Sequence, residues 1–90
     1  MPRSSRSPRQ ARLQELLVSR RAAAGLSQEE VARRLRRPQS FISKYETGER
    51  RLDVVELIEV AEAIGFDARK LIGELVKVGQ PKEGRTENSD

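Results

Sequence analysis

Residues that end helices recur at short intervals along this chain. Gly25, Gly48 and Gly65 each follow a stretch with apolar residues at helical spacing, and glycine commonly ends a helix in the left-handed conformation. Pro38 has no amide proton and cannot lie inside a helix, but it fits the first helical position. These positions divide the chain into several short helices.

Helix-starting residues agree with this division. The segments Ser27–Glu30 and Asp53–Glu56 are capping boxes, in which the first side chain accepts from the amide three residues on and the glutamate reaches back. Asp67 is a further N-cap. No strand pattern or internal repeat is present, so we predict an all-α fold of five short helices. They should start at Arg9, Ser27, Pro38, Asp53 and Asp67, and the apolar stripe of the fourth should be Leu57, Ile58, Ala61 and Ile64.

The composition excludes several classes of function. Ninety residues, 36% hydrophobic and 3% aromatic, suffice for one small aliphatic core. The chain has no Cys and no His, which excludes disulfides, the usual zinc sites, and thiol or histidine catalysis. Its carboxylates fall on solvated helix faces or at caps, so we expect no enzyme activity, metal or cofactor. No apolar run is long enough to cross a membrane, and we expect a cytoplasmic protein.

Charge is distributed unevenly. Residues 1–51 carry 13 basic and five acidic side chains, whereas residues 52–90 carry five basic and nine acidic ones. A basic half indicates a surface for a polyanion such as DNA, and a solvated charged surface is the alternative. We expect residues 1–8 to be a disordered basic arm, 9–78 the folded domain and 79–90 a disordered polar tail. The arm arginines Arg3, Arg6 and Arg9 either reach the minor groove or have no directed contact.

The second and third predicted helices are joined by a very short turn and must cross at a steep angle. Ala32 is small enough for the third helix to pack across it, and Leu35, Ile42 and Tyr45 fill the angle between the two helices. The major groove of DNA admits one α-helix, and amides, hydroxyls and ammonium groups can hydrogen-bond base edges and phosphates. The side chains left outward on the third helix are of this kind: Gln39, Ser40, Ser43 and Lys44.

At these residues, "GLSQEEVARRL" followed by "PQSFISKYETGERR" resembles the helix-turn-helix of the Xre/Cro-type phage repressors and their bacterial relatives. The resemblance extends from about Leu13 to Leu75. It implies a five-helix phage-repressor-like DNA-binding domain whose helix-turn-helix is formed by helices 2 and 3. Arg36 stands where the family has its turn glycine, so either this residue adopts a positive φ at a cost of about 1 kcal/mol or the turn differs.

The resemblance also implies roles for individual residues. Arg21 and Glu46 match a buried ion pair between the first and third helices. Phe41 has two open interpretations, contact with a thymine methyl or the sugar–phosphate wall, and coverage of the core edge. The other expected base contacts are Gln39, Ser40 and Lys44. Phosphate contacts are expected from Ser27, Gln28, Arg37, Ser43, Thr47, Arg50 and Arg51. For Gln28, a plain helix-start role is the alternative, and for Lys44, Arg50 and Arg51 it is solvated surface charge.

One such domain reads few base pairs, so a homodimer on an inverted repeat is expected, with recognition helices ~34 Å apart. Leu75, Val76 and Val78 exceed what the core needs, and we expect them to form the dimer interface. The leading hypothesis is a sequence-specific transcriptional regulator. The alternatives are an antitoxin of a toxin–antitoxin pair, a restriction–modification controller, or an adaptor that uses this fold to bind protein. RNA polymerase or a toxin are further candidate partners.

Overall fold

The computed structural model describes residues 7–79 and, over this range, contains five α-helices and no strand. The predicted all-α, five-helix fold is therefore confirmed. The expected basic arm and polar tail lie almost entirely outside the described residues. The helices are α1 (Pro8–Ala23), α2 (Gln28–Leu35), α3 (Gln39–Thr47), α4 (Val54–Ile64) and α5 (Ala68–Lys77).

The helices begin at the polar caps that the sequence supplies. In α2 the Ser27 hydroxyl accepts from the Glu30 amide, and Glu30 accepts from the Ser27 amide, at 3.1 and 2.8 Å. The Asp53 box at the start of α4 has both of its bonds too. The first helix differs slightly from expectation. It begins at Pro8 rather than Arg9, because the Ser7 side chain accepts from the Gln10 amide and serves as its N-cap.

The turn between α2 and α3 fixes how the two helices cross. Arg36 adopts the left-handed conformation, with φ 59° and ψ 43°. Its amide bonds to the Arg33 carbonyl while the Arg37 amide bonds to the Ala32 carbonyl, which is the Schellman arrangement. Pro38 is the N-cap of α3, with extended backbone (φ −64°, ψ 153°), and not its first helical residue as expected. An N-cap residue has extended and not helical dihedral angles, and the ψ of Pro38 places it in that position.

The core lies between the five helices. Helix α3 packs on α1 and α2, α4 packs on α2 and α5, and α1 also packs on α5. Val31, Ile42 and Val60 are fully enclosed, and the small Ala32 lies in the core where α2 meets α3. The buried apolar residues are Leu16, Leu17, Val31, Ala32, Phe41, Ile42, Tyr45, Leu57, Val60, Ala61, Ile64 and Leu71.

One predicted stripe position in α4 is wrong. Ile58 is 42% exposed, whereas Val60 is fully buried and takes its place. Positions three, four and seven residues after Leu57 lie on one face of a helix, and these are Val60, Ala61 and Ile64. Ile58 lies about 100° away from that stripe and faces outward.

Candidate nucleic-acid interface

Helix α3 has one buried face and one exposed polar face. Ile42 and Tyr45 are buried, whereas Gln39, Ser40 and Lys44 are exposed. The side chains of Ser40 and Lys44 make no hydrogen bond within residues 7–79. The start of α3 therefore presents an amide, a hydroxyl and an ammonium group to solvent on one surface.

Gln39 is held in place by a chain of side chains that leads into the interior. Its Nε2 donates to Gln28 Oε1 at 3.2 Å, and Gln28 Nε2 donates to Glu46 Oε1 at 2.8 Å. Because the Gln28 amide group uses its nitrogen on the carboxylate, its oxygen is the atom turned toward Gln39. The first residue of α2 thus orients the first residue of α3.

The inner end of this chain is an ion pair between α1 and α3. Arg21 donates through Nε and Nη2 to the two carboxylate oxygens of Glu46, at 2.7 and 3.0 Å. Its Nη1 donates to the Leu26 carbonyl at 3.0 Å. The Arg21 side chain is 18% exposed and the Glu46 side chain is 5% exposed. The hydrogen bond to Glu46 raises the pKa of Arg21 above its ordinary value. This is the pair that the resemblance implies.

Phe41 lies in the core and not on the exposed face of α3. It is 7% exposed, and its ring meets the Tyr45 ring edge-on with centroids 5.5 Å apart. The guanidinium groups of Arg37 and Arg50 cover the ring, with Cζ 4.3 and 4.9 Å from its centroid. Of the two interpretations of Phe41, its burial favours the core role over a base contact.

Arg37 and Arg50 both lie beside the carboxylate of Glu56, which the sequence predicts only as a capping-box residue. Arg50 donates through Nη1 and Nη2 to the two oxygens of Glu56, at 3.0 and 2.8 Å. Arg37 Nη2 lies 3.6 Å from the same carboxylate. The hydrogen bond from Arg50, followed by that from the Asp53 amide, lowers the pKa of Glu56 to about 2. The sequence does place one acidic and two basic residues near a chain reversal. They are not at helical spacing, however, so the sequence does not predict that they contact one another.

The remaining hydroxyls expected at phosphates are engaged within their own segments. The Ser27 hydroxyl caps α2, while Ser43 Oγ and Thr47 Oγ1 each donate to a carbonyl three residues earlier, at 3.3 Å. Arg51 is exposed, and its carbonyl accepts from Arg50 Nη1 at 2.9 Å. Phosphate contact by these four residues stays a prediction.

At the far end of the domain, α5 carries the residues expected at a dimer interface. Val76 is 51% exposed, whereas Leu75 packs partly against the core and Val78 is half-buried. The Leu75 and Val76 carbonyls accept from Arg9 at 3.0 and 3.1 Å. Arg9 was a candidate for a DNA-contacting arm, but it belongs to α1 and caps the last turn of α5. Its guanidinium satisfies carbonyls that the helix end leaves without partners.

Two further properties concern residues 7–79 only. None of the helices in this range is long and apolar enough to span a bilayer. The same range holds no group of three or more Asp, Glu, His or Cys side chains placed to bind a metal ion.

Comparison with known proteins agrees with this geometry. Residues 12–75 match the family described as "Helix-turn-helix domain". A solved structure named "XRE-family like protein from Pseudomonas syringae pv. tomato str. DC3000" is 46% identical in sequence, with a TM-score of 0.75. The match covers 79% of this chain and 87% of that one. A search of curated proteins gives no match. This chain belongs to the Xre-type family of helix-turn-helix DNA-binding proteins.

Proposed function

We propose that this protein is a transcriptional regulator that binds an inverted-repeat operator as a homodimer, with α3 in the major groove of each half-site. The observation that carries the proposal is the exposed face of α3, on which Gln39 is held by Gln28 beside the exposed Ser40 and Lys44. A side chain held as Gln39 is held loses little freedom on binding, which favours specific contact over loose association.

The hydrogen bond to Gln28 determines what Gln39 has left to offer. One hydrogen of its Nε2 is used, so one N–H donor and the Oε1 acceptor remain. A donor and an acceptor side by side match the N7 and N6 edge of adenine in the major groove. We therefore expect Gln39 to read an adenine.

Basic residues around α3 supply the contacts to the DNA backbone. Arg37 precedes the helix, Lys44 lies on it, and Arg50 and Arg51 follow it. If each subunit neutralises about four phosphates, the slope of log affinity against log salt should be near −7 for the dimer. Binding of RNA polymerase or of a toxin stays a prediction from sequence alone.

The dimer contact expected from Leu75, Val76 and Val78 is proposed for the outer face of α5, where Val76 is exposed and the other two are half-buried. Ile72 and Val76 lie one turn apart on this helix and are 39% and 51% exposed. Val76→Asp should abolish dimers in sedimentation and weaken operator binding, with the monomer still folded. Val55→Asp is the matched control, since Val55 is a 63% exposed valine on α4. Loss of dimers in the control alone would move the interface to α4.

The decisive test of the proposed function is selection of bound duplexes from a random pool. We expect the wild-type protein to enrich a two-fold symmetric sequence. Gln39→Ala should relax preference at one base pair per half-site by about 1–3 kcal/mol. Arg50→Ala is the control and should weaken all sequences by a similar factor. The proposal is wrong if no sequence is enriched, and the Gln39 assignment is wrong if operator variants keep the same ranking.

A further inference from the structure

Arg50 has an unused hydrogen-bonding edge, and this edge has a defined direction. A guanidinium has five N–H donors. Nη1 donates to Glu56 and to the Arg51 carbonyl, and Nη2 donates once to Glu56. The Nε–H and the second Nη2–H, which point the same way on one edge of the plane, have no partner among residues 7–79. Two parallel donors on one edge match the geometry of a phosphate.

The plane of this guanidinium is fixed from two sides. Glu56 holds the adjacent Nη1/Nη2 edge, and the Phe41 ring lies 4.9 Å from Cζ. Glu56 is itself held at the start of α4, since its Oε1 accepts from the Asp53 amide at 2.9 Å. The Glu56 side chain is only 13% exposed. Arg50 is therefore oriented by both α3 and α4, although it belongs to the loop between them.

We propose that Glu56 is a positioning residue for DNA binding, which holds Arg50 on the Phe41 ring so that its free Nε/Nη2 edge meets one backbone phosphate beside α3. This inference rests on the proposed function. A carboxylate near a phosphate site would ordinarily repel DNA. The proposal therefore predicts a change in DNA affinity opposite in sign to the one that repulsion alone would give. Removing the charge of Glu56 should weaken binding, whereas simple electrostatics requires that it strengthen binding.

The first test measures the affinity of purified full-length variants for the selected duplex by fluorescence anisotropy. Glu56→Gln keeps a capping-box residue and removes the charge. We expect it to weaken binding by about five- to tenfold through loss of an oriented charge-assisted contact. Glu59→Gln, an equal charge change at an exposed site on α4, should leave affinity unchanged or slightly raised. Equal or tighter binding by Glu56→Gln relative to this control overturns the proposal.

A double-mutant cycle separates positioning from a structural effect. If Glu56 acts through Arg50, Glu56→Gln should change affinity less than about twofold in an Arg50→Ala background. A loss equal to that in the wild-type background would show that Glu56 acts through the fold and would overturn the proposal.

A third variant does not disturb the capping box. Arg50→Lys keeps the charge but lacks the two parallel N–H donors of a guanidinium. We expect it to lose most of the DNA affinity that Arg50→Ala loses. Full affinity in Arg50→Lys would also overturn the proposal. Failure of the wild-type protein to bind any duplex would instead contradict the proposed function itself, so the two failures are distinguishable.

Discussion

Two arginine–carboxylate pairs flank α3, and they use the same chemistry in opposite ways. Arg21 presents its Nε/Nη2 edge to Glu46, and the pair is enclosed between α1 and α3 with side chains 18% and 5% exposed. Arg50 presents its Nη1/Nη2 edge to Glu56, and these side chains are 41% and 13% exposed.

The choice of edge separates a structural pair from a proposed functional one. Arg21 uses the two parallel donors that best match an oxyanion, Nε–H and Nη2–H, to bind a carboxylate of its own chain. This ion pair holds α3 against α1. Arg50 leaves the same pair of donors without a partner among residues 7–79, on a side chain that is 41% exposed. The contrast indicates that an ion pair near a binding surface is best judged by the donors that it leaves unused.

The largest expected effect is on the enclosed pair. Glu46→Ala leaves Arg21 enclosed without its carboxylate and also removes the partner of Gln28. We expect the free energy of unfolding to fall by about 3–5 kcal/mol, measured by urea denaturation. Glu15→Ala is the control, because its pair with Arg12 is exposed on both sides. A loss for Glu46→Ala no greater than for the control would erase the distinction between the two pairs.

The next largest effect is expected at Gly48, which ends α3 and lies between Glu46 of one ion pair and Arg50 of the other. Gly48 has φ +89°, and a Cβ there would lie 2.7 Å from Gln14 Oε1. Gly65, with φ +100° and open space, is the matched control. Gly48→Ala should lower the free energy of unfolding by about 1 kcal/mol more than Gly65→Ala, because Gln14 must move as well. The difference should vanish in a Gln14→Ala background, and its persistence there would contradict this account of Gly48.

A smaller effect should appear for Glu56 in acid. Its pKa is lowered from the ordinary 4.5 to about 2, so its contribution to stability is present above about pH 4.5 and is lost as pH falls toward 2. The difference in melting temperature between wild type and Glu56→Gln should therefore shrink over this range. Thermal unfolding followed by circular dichroism would measure it. A difference that stays constant with pH would mean that the Glu56 charge adds no stability.

The smallest effect is expected at Arg36, which has no carboxylate partner within ion-pair distance among residues 7–79. Arg36→Gly relieves the left-handed strain of about 1 kcal/mol but adds flexibility to the unfolded chain. We expect the free energy of unfolding to change by less than about 0.5 kcal/mol, by urea denaturation. A loss as large as that of Glu46→Ala would show that charge near α3 stabilises the fold without a partner.

The helices were predictable because their limits are local. Ser27, Asp53 and Gly65 act through hydrogen bonds or dihedral angles within a few residues, and the structure has each in its expected role. Pro38 is an exception, because its missing amide proton suits both the N-cap and the first helical position, and the sequence does not show that it is the N-cap. The exchange of Ile58 for Val60 was not forced by the sequence, since Val60 lies at helical spacing from Leu57 and Ile58 does not.

The candidate site was less predictable from the residues themselves. The partnership of Arg21 with Glu46 came from the resemblance alone, because the two lie 25 positions apart on different helices. The partnership of Arg50 with Glu56 depends on the path of the loop, which no periodicity encodes. Sequence order gives helix faces well and gives contacts across an irregular segment poorly.

The proposed function requires that the exposed face of α3 enter the major groove. Titration of ¹⁵N-labelled protein with the selected duplex, followed by NMR, tests it most directly. We expect the largest shifts at the side-chain amide of Gln39 and at the backbone amides of Ser40 and Lys44. Shifts confined to α4 and α5, with the Gln39 side-chain signals unmoved at saturation, would contradict it.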